Sequence, residues 1–247
     1  MTKRKWWIIV VSIIVFLALS GVTVFALVWN GVILLNNPSK EDYPVRGVDV
    51  SAYQGDIDWS ILSNEGIDFA FIKATEGSTF VDRKFEYNIT ESQKQDIFVG
   101  VYHFFSFESG GKTQAENFIK TVPCNEKMLP PVVDLEFYGK FVDSPKGAKE
   151  VLPELDVLLS ELEKHYGKKP IIYVTEESYE LYLDGGYEQY DIWIRDFVFE
   201  PELSDGREWT FWQYTNRERL KGYKGAEKYI DMNVFCGTRE EFLEYVK

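Results

Sequence analysis

Eight short apolar runs, at 47–51, 69–74, 98–104, 131–136, 170–175, 191–196, 210–215 and 229–235, divide the chain at the lengths and spacings of β-strands. Between the first five lie stretches of helical periodicity. The clearest is 152–166, where Leu152, Leu155, Leu158, Leu159 and Leu162 recur on one face. Strand and helix in alternation produce parallel strands covered by helices. After Tyr182 the helical signal fades, and the last three strands are joined by Gly-, Pro- and charge-rich loops, with one final helix at 239–245. The pattern predicts an α/β fold, an irregular TIM-like barrel of about eight strands that begins as β/α units and closes with bare strands.

Side chains alternate faces along a strand, so each run states what it turns inward. In VVDLE, Asp134 and Glu136 share one face while Val133 and Leu135 take the other. Asp49 stands between Val48 and Val50, and Asp231 and Asn233 oppose Ile230, Met232 and Val234. Strands wrapped by helices have no solvated face, so these carboxylates point into the lumen or its mouth. Unpaired charge there is costly, which marks a functional site rather than a structural one.

The N-terminus is a different kind of chain. From Trp6 to Trp29 it is apolar apart from Ser12, Ser20 and Thr23, long enough as a helix to cross a hydrocarbon core of about 30 Å. Trp6, Trp7 and Trp29 stand at the ends, where indoles favour the interface, and Lys3, Arg4 and Lys5 stay cytoplasmic by the positive-inside rule. The expected order is a cytoplasmic tip (1–5), a transmembrane signal-anchor helix (6–29), a polar linker (30–44) and an exported domain (45–247). Cleavage after Val24-Phe25-Ala26 would instead release a secreted domain. The first 37 residues hold three cations and no carboxylate, so 24 cations face 40 carboxylates in the rest, a formal charge of −16. Such a domain repels phosphate backbones, and nucleic acid is not an expected partner.

Seven segments, GVDVSAYQGDIDW, FAFIKATEG, VGVYHFF, PPVVDLE, IIYVT, FWQYT and DMNVF, occur in this order across 45–247. Together they resemble the glycoside hydrolase family 25 lysozymes, the Chalaropsis-type N-acetylmuramidases. The resemblance implies eight strands with about five helices, and hydrolysis of the β-1,4 bond between N-acetylmuramic acid and N-acetylglucosamine in peptidoglycan. The family's four acidic positions fall on Asp49, Asp134, Glu136 and Asp231, and the reaction needs no cofactor. Glycoside cleavage requires a proton donor and a group that stabilises an oxocarbenium-like centre. Glu136 suits the donor, its pKa raised by neighbouring anions. Asp134 either attacks the anomeric carbon or orients the substrate's own 2-acetamido group; Asp-x-Glu on one strand favours the substrate-assisted, retaining route. Asp49 and Asp231 position and set the field. Of the strand aromatics Tyr53, Tyr102, Tyr173, Trp193, Trp212 and Tyr214, the better candidates for sugar contact are Tyr102, Tyr173 and Trp193, with Gln54 and Gln213 as polar contacts.

Other wall-cleaving chemistries lack their residues. Two histidines, His103 and His165, do not make a zinc site, so no metal is expected, and neither histidine has a cysteine-protease context around Cys124. Cys124 and Cys236 form a disulfide only if the last strand runs antiparallel to the first five; otherwise they are free thiols. The competing function is a membrane-tethered module that grips peptidoglycan without cutting it, but only an enzyme requires a protonated Glu136 facing Asp134.

Overall fold

The computed structural model describes residues 2–247, which fall into two compact units, one ending at Leu35 and one running from Asn36 to Lys247. The first unit is the helix α1 (Lys3–Trp29), none of whose side chains is buried and which is long and apolar enough to cross a membrane.

The second unit is a closed barrel. Its strands are β1 (Arg46–Val50), β2 (Phe69–Glu76), β3 (Phe98–Phe104), β4 (Val132–Leu135), β5 (Ile171–Thr175), β6 (Ile192–Arg195), β7 (Phe211–Glu218) and β8 (Ile230–Phe235). β1 through β7 are parallel, while β8 alone runs antiparallel between β7 and β1, and the β1–β2 pairing closes the ring. Helices α2 (Phe85–Ser92), α3 (Gly111–Thr121), α4 (Ala148–Tyr166) and α5 (Glu176–Tyr182) follow β2, β3, β4 and β5, and α6 (Arg239–Tyr245) follows β8. No helix connects β6 to β7 or β7 to β8, as the fading periodicity predicts. Six of the eight strands match expectation to within one residue at each end, but β2 extends to Glu76 and β7 to Glu218, each through an irregular register near its upper end.

Alternation along the strands separates two cores. The lumen is filled from below by Phe69, Phe71, Val132, Ile171, Tyr173, Trp193, Phe211 and Phe235, and Phe242 of α6 plugs the base. The rings interlock, Phe71 lying on Trp193 with centroids 4.6 Å apart and meeting Phe211 edge-on at 5.3 Å. Such density needs small neighbours. A Cβ on Gly47 would stand 2.4 Å from the Phe69 ring, and one on Gly100 would stand 2.5 Å from that of Phe71. The other core, including Val48, Ile72, Val99, Val133 and Leu159, lies between strands and helices.

Where helices are missing, other groups cover the sheet. Trp212 and Tyr214 face outward from β7, so they take no part in the lumen. Tyr43 stacks near Trp209 with centroids 5.8 Å apart and meets Trp212 edge-on, while Arg46 donates to the Tyr214 hydroxyl and to the carbonyl of Pro38. Residues 36–44, read from composition as part of a linker, therefore pack on the barrel wall.

Both cysteines are free. The reversal of β8 does place Cys236 at the base, where Cys124 also lies. But Cys124 precedes β4 and neighbours the end of α4, whereas Cys236 bonds through its N–H to Thr210 beside β7. Strands β5 and β6 stand between those positions, so the same end of the barrel is not the same place.

Candidate active site

At the upper ends of the strands the lumen changes from aromatic to charged. On β4, Val132 belongs to the aromatic plug while Asp134, and Glu136 just past the strand's end, rise above it. β1 passes from Gly47 to Asp49, β2 from Phe71 to Lys73, and β6 from Trp193 to Arg195. Because β8 is reversed, Asp231 near its start comes level with Asp49, and the two are register partners. The result is a cavity of about 350 Å³ at the C-terminal face, lined by all four predicted acids together with Lys73, Tyr102, Tyr173 and Arg195.

Asp49 is the most heavily bonded of the four. Its Oδ2 accepts from Gln213 Nε2 and Asn233 Nδ2, both at 2.8 Å, and Asp231 donates a further hydrogen bond to the same carboxylate. Burial pushes Asp49 up to about 6 against the pull of those donors. Burial, then the charges of Asp49 and Glu136, raise Asp231 well above the carboxylate range, and its hydrogen bond to Asp49 adds to that rise.

Asp134 is raised by burial first and Glu136 second. Its Oδ1 is buried and accepts no hydrogen bond within the protein. A buried acceptor without a donor costs free energy until something occupies it, which identifies where a ligand N–H or O–H is wanted. Glu136 is also raised, but the cause differs from the expected repulsion by neighbouring anions. Burial lifts it, and Arg195, whose Nη1 lies 2.7 Å from Glu136 Oε2, opposes that lift together with Lys73.

The aromatic and amide candidates divide between surface and scaffold. Tyr102 is half-buried in the cavity wall, close enough to Asp49, Asp134 and Asp231 for their charges to raise its hydroxyl further after burial. Tyr173 donates to Gln213 Oε1 at 2.9 Å, so Gln213 spends both ends of its amide between Tyr173 and Asp49. Trp193 is buried against Phe71 and donates to Asn233 Oδ1 at 2.8 Å. Gln54 caps the turn after β1, its Oε1 accepting from the Ser51 N–H at 2.8 Å. Tyr53, beside it, is 64% exposed at the mouth.

Lys73, Arg195 and Asn233 were not among the site residues read from the sequence. The signal was present in the alternation: Phe71 and Lys73 share a face, as do Trp193 and Arg195. His103 lies outside the cavity. Its ring is buried between Thr75 Oγ1 at 2.7 Å and Gln114 Oε1 at 3.1 Å, and burial lowers its pKa to about 4. Cys124 is far from it in the fold, in contact with the His165 carbonyl.

The model of the glycosyl hydrolases family 25 matches residues 48–223. The chain belongs to that family. Among solved structures, a family 25 glycosyl hydrolase from Bacillus anthracis is 53% identical with a TM-score of 0.82, covering 87% of this chain and 98% of that one. A bacterial lysozyme from Streptomyces coelicolor is 28% identical with a TM-score of 0.74, covering 82% and 96%. Lysozyme M1 of Streptomyces globisporus is 30% identical over 215 residues, 81% of this chain and 70% of that relative. The family 25 chain is a glycoside hydrolase with the barrel and the acid-lined mouth in one continuous unit.

Proposed function

We propose that this family 25 hydrolase is a Chalaropsis-type muramidase, cutting peptidoglycan between N-acetylmuramic acid and N-acetylglucosamine with retention and with assistance from the substrate. The observation that carries the reading is the unpartnered, buried Oδ1 of Asp134 beside Glu136. An N-acetylated sugar brings an amide N–H that such an oxygen can accept, and holding that N–H turns the acetamido carbonyl toward the anomeric carbon. The carbonyl oxygen attacks C1, and Glu136 gives its proton to the departing glycosidic oxygen. Water activated by Glu136 then opens the cyclic intermediate, restoring the starting configuration. A proton held between Asp49 and Asp231 would leave one negative charge below the sugar, which offsets positive charge developing at C1.

The apolar helix fits a single-pass anchor, its Lys3-Arg4-Lys5 end cytoplasmic and the hydrolase outside, with residues 30–35 between helix and packed unit. Purified peptidoglycan is the test substrate. Glu136→Gln should lower the release of reducing ends at least about a hundredfold, the range expected for loss of a general acid. Asp134→Asn should cause a comparable loss without preventing binding. Turnover near the parent level in Glu136→Gln, or equal cleavage of chitin and peptidoglycan by the parent, contradicts the reading.

A further inference from the structure

One connection at the mouth reverses the charge of the unit around it. Between β7 and β8, residues 217–228 carry Arg217, Arg219, Lys221, Lys224 and Lys228 against Glu218 and Glu227, a local +3 in a domain of −16. The connection is built into the fold. Tyr223 and Lys224 pair antiparallel with Ile57 and Asp56, the Asp58 N–H donates to the Gly222 carbonyl at 2.6 Å, and the Tyr223 hydroxyl donates to the Lys228 carbonyl at 3.1 Å.

Three of the five cations gather on a single ring. Arg217 Cζ, Arg219 Cζ and Lys228 Nζ lie 5.4, 5.3 and 5.2 Å from the centroid of Tyr229. Arg219 and Lys228 also hydrogen-bond the Tyr229 hydroxyl. Tyr229, Asn216 and Glu227 line the same cavity as Asp49, Asp134 and Glu136. One exposed cation–π contact would suffice to fix the ring, and this one has three.

We propose that the Arg217, Arg219 and Lys228 cluster receives a carboxylate of the substrate, carried by the peptide attached through the lactyl group of a muramic residue next to the cleaved bond. The proposal rests on the peptidoglycan reading above. It supplies what the acidic cup lacks, since a polyanionic strand would otherwise meet only net negative charge at the mouth. The sugar enters over the carboxyl groups while its peptide turns toward the β7–β8 connection, which sets the direction in which the strand lies.

The test compares the full chain with its Arg219→Gln/Lys228→Gln double variant on two substrates: peptidoglycan freed of phosphodiester polymers, and the same material with its peptide carboxylates amidated. On the first, kcat/KM should fall about fivefold, chiefly through KM and with a weaker dependence on salt, as expected for two partly exposed charge contacts. On the amidated substrate the two proteins should coincide, and Arg219→Lys/Lys228→Arg should recover most of the loss. An equal loss on both substrates, no loss on the first, or a loss confined to walls that keep their phosphodiester polymers overturns the proposal. Should the parent chain cleave neither substrate, the peptidoglycan reading alone fails. The cluster is then read by co-sedimentation of Glu136→Gln with the two insoluble substrates, where retention must depend on the carboxylates and on Arg219 and Lys228.

Discussion

Arg195 occupies an awkward position for catalysis, because it holds Glu136 while lowering the pKa that a proton donor needs raised. Its role is to orient, and burial supplies the opposing shift. Replacing Arg195 with Gln removes a cation that favours the ionised form, so the Glu136 pKa should rise and activity should persist to higher pH. The basic limb of the kcat/KM profile should move upward while the maximum rate falls through lost orientation. A limb that stays in place would separate Arg195 from Glu136. The same arithmetic explains why the acids were legible from single residues while their tuning was not. Alternation places Asp134 and Glu136 on one face from sequence alone, but the balance between burial and two cations depends on which strands stand opposite, and β6 and β2 flank that face only after closure.

At the scale of strands, glycine and phenylalanine form a matched pair. Gly100 on β3 exists to let the Phe71 ring of the adjacent strand lie flat within the plug, as Gly47 on β1 does for Phe69. Gly100→Ala should therefore destabilise the unit by about 1–3 kcal/mol through overpacking, measured by urea denaturation. An unchanged midpoint would show that the ring can move aside. Strand order and helix coverage were readable because period-2 and period-3.6 patterns report them locally. What outward faces meet is not local. Trp212 and Tyr214 look like sugar-binding aromatics in isolation, and the structure turns them toward Tyr43, a residue more than 160 positions earlier that composition assigns to a linker. Trp193 and Gln213 line the cavity, yet their polar atoms are already engaged by Asn233, Asp49 and Tyr173, so they hold the acids rather than present themselves to solvent.

For the molecule as a whole, the buried acids set an opposition between function and stability. Asp49 has a folded pKa of about 6 against an ordinary value of 3.8, so between those values the folded state keeps a proton that the unfolded state has released. Stability from this group is complete below about pH 4 and is lost as pH rises through 6. Asp134, Glu136 and Asp231 shift in the same direction. The melting temperature should be higher at pH 5 than at pH 7. Asp49→Asn, which removes the group raised to about 6 and keeps an oxygen for Gln213 and Asn233 to donate to, should flatten that difference. Equal pH dependence in parent and variant would remove the cluster as its cause.

The lone antiparallel strand has a practical consequence for anyone handling the protein. β1 starts at the base of the barrel, and β8, being reversed, finishes there, so the first and last strands of the ring both open on the side away from the mouth. A reporter or affinity handle joined after Lys247 sits behind the cup, where it leaves the approach of a long polymer unobstructed.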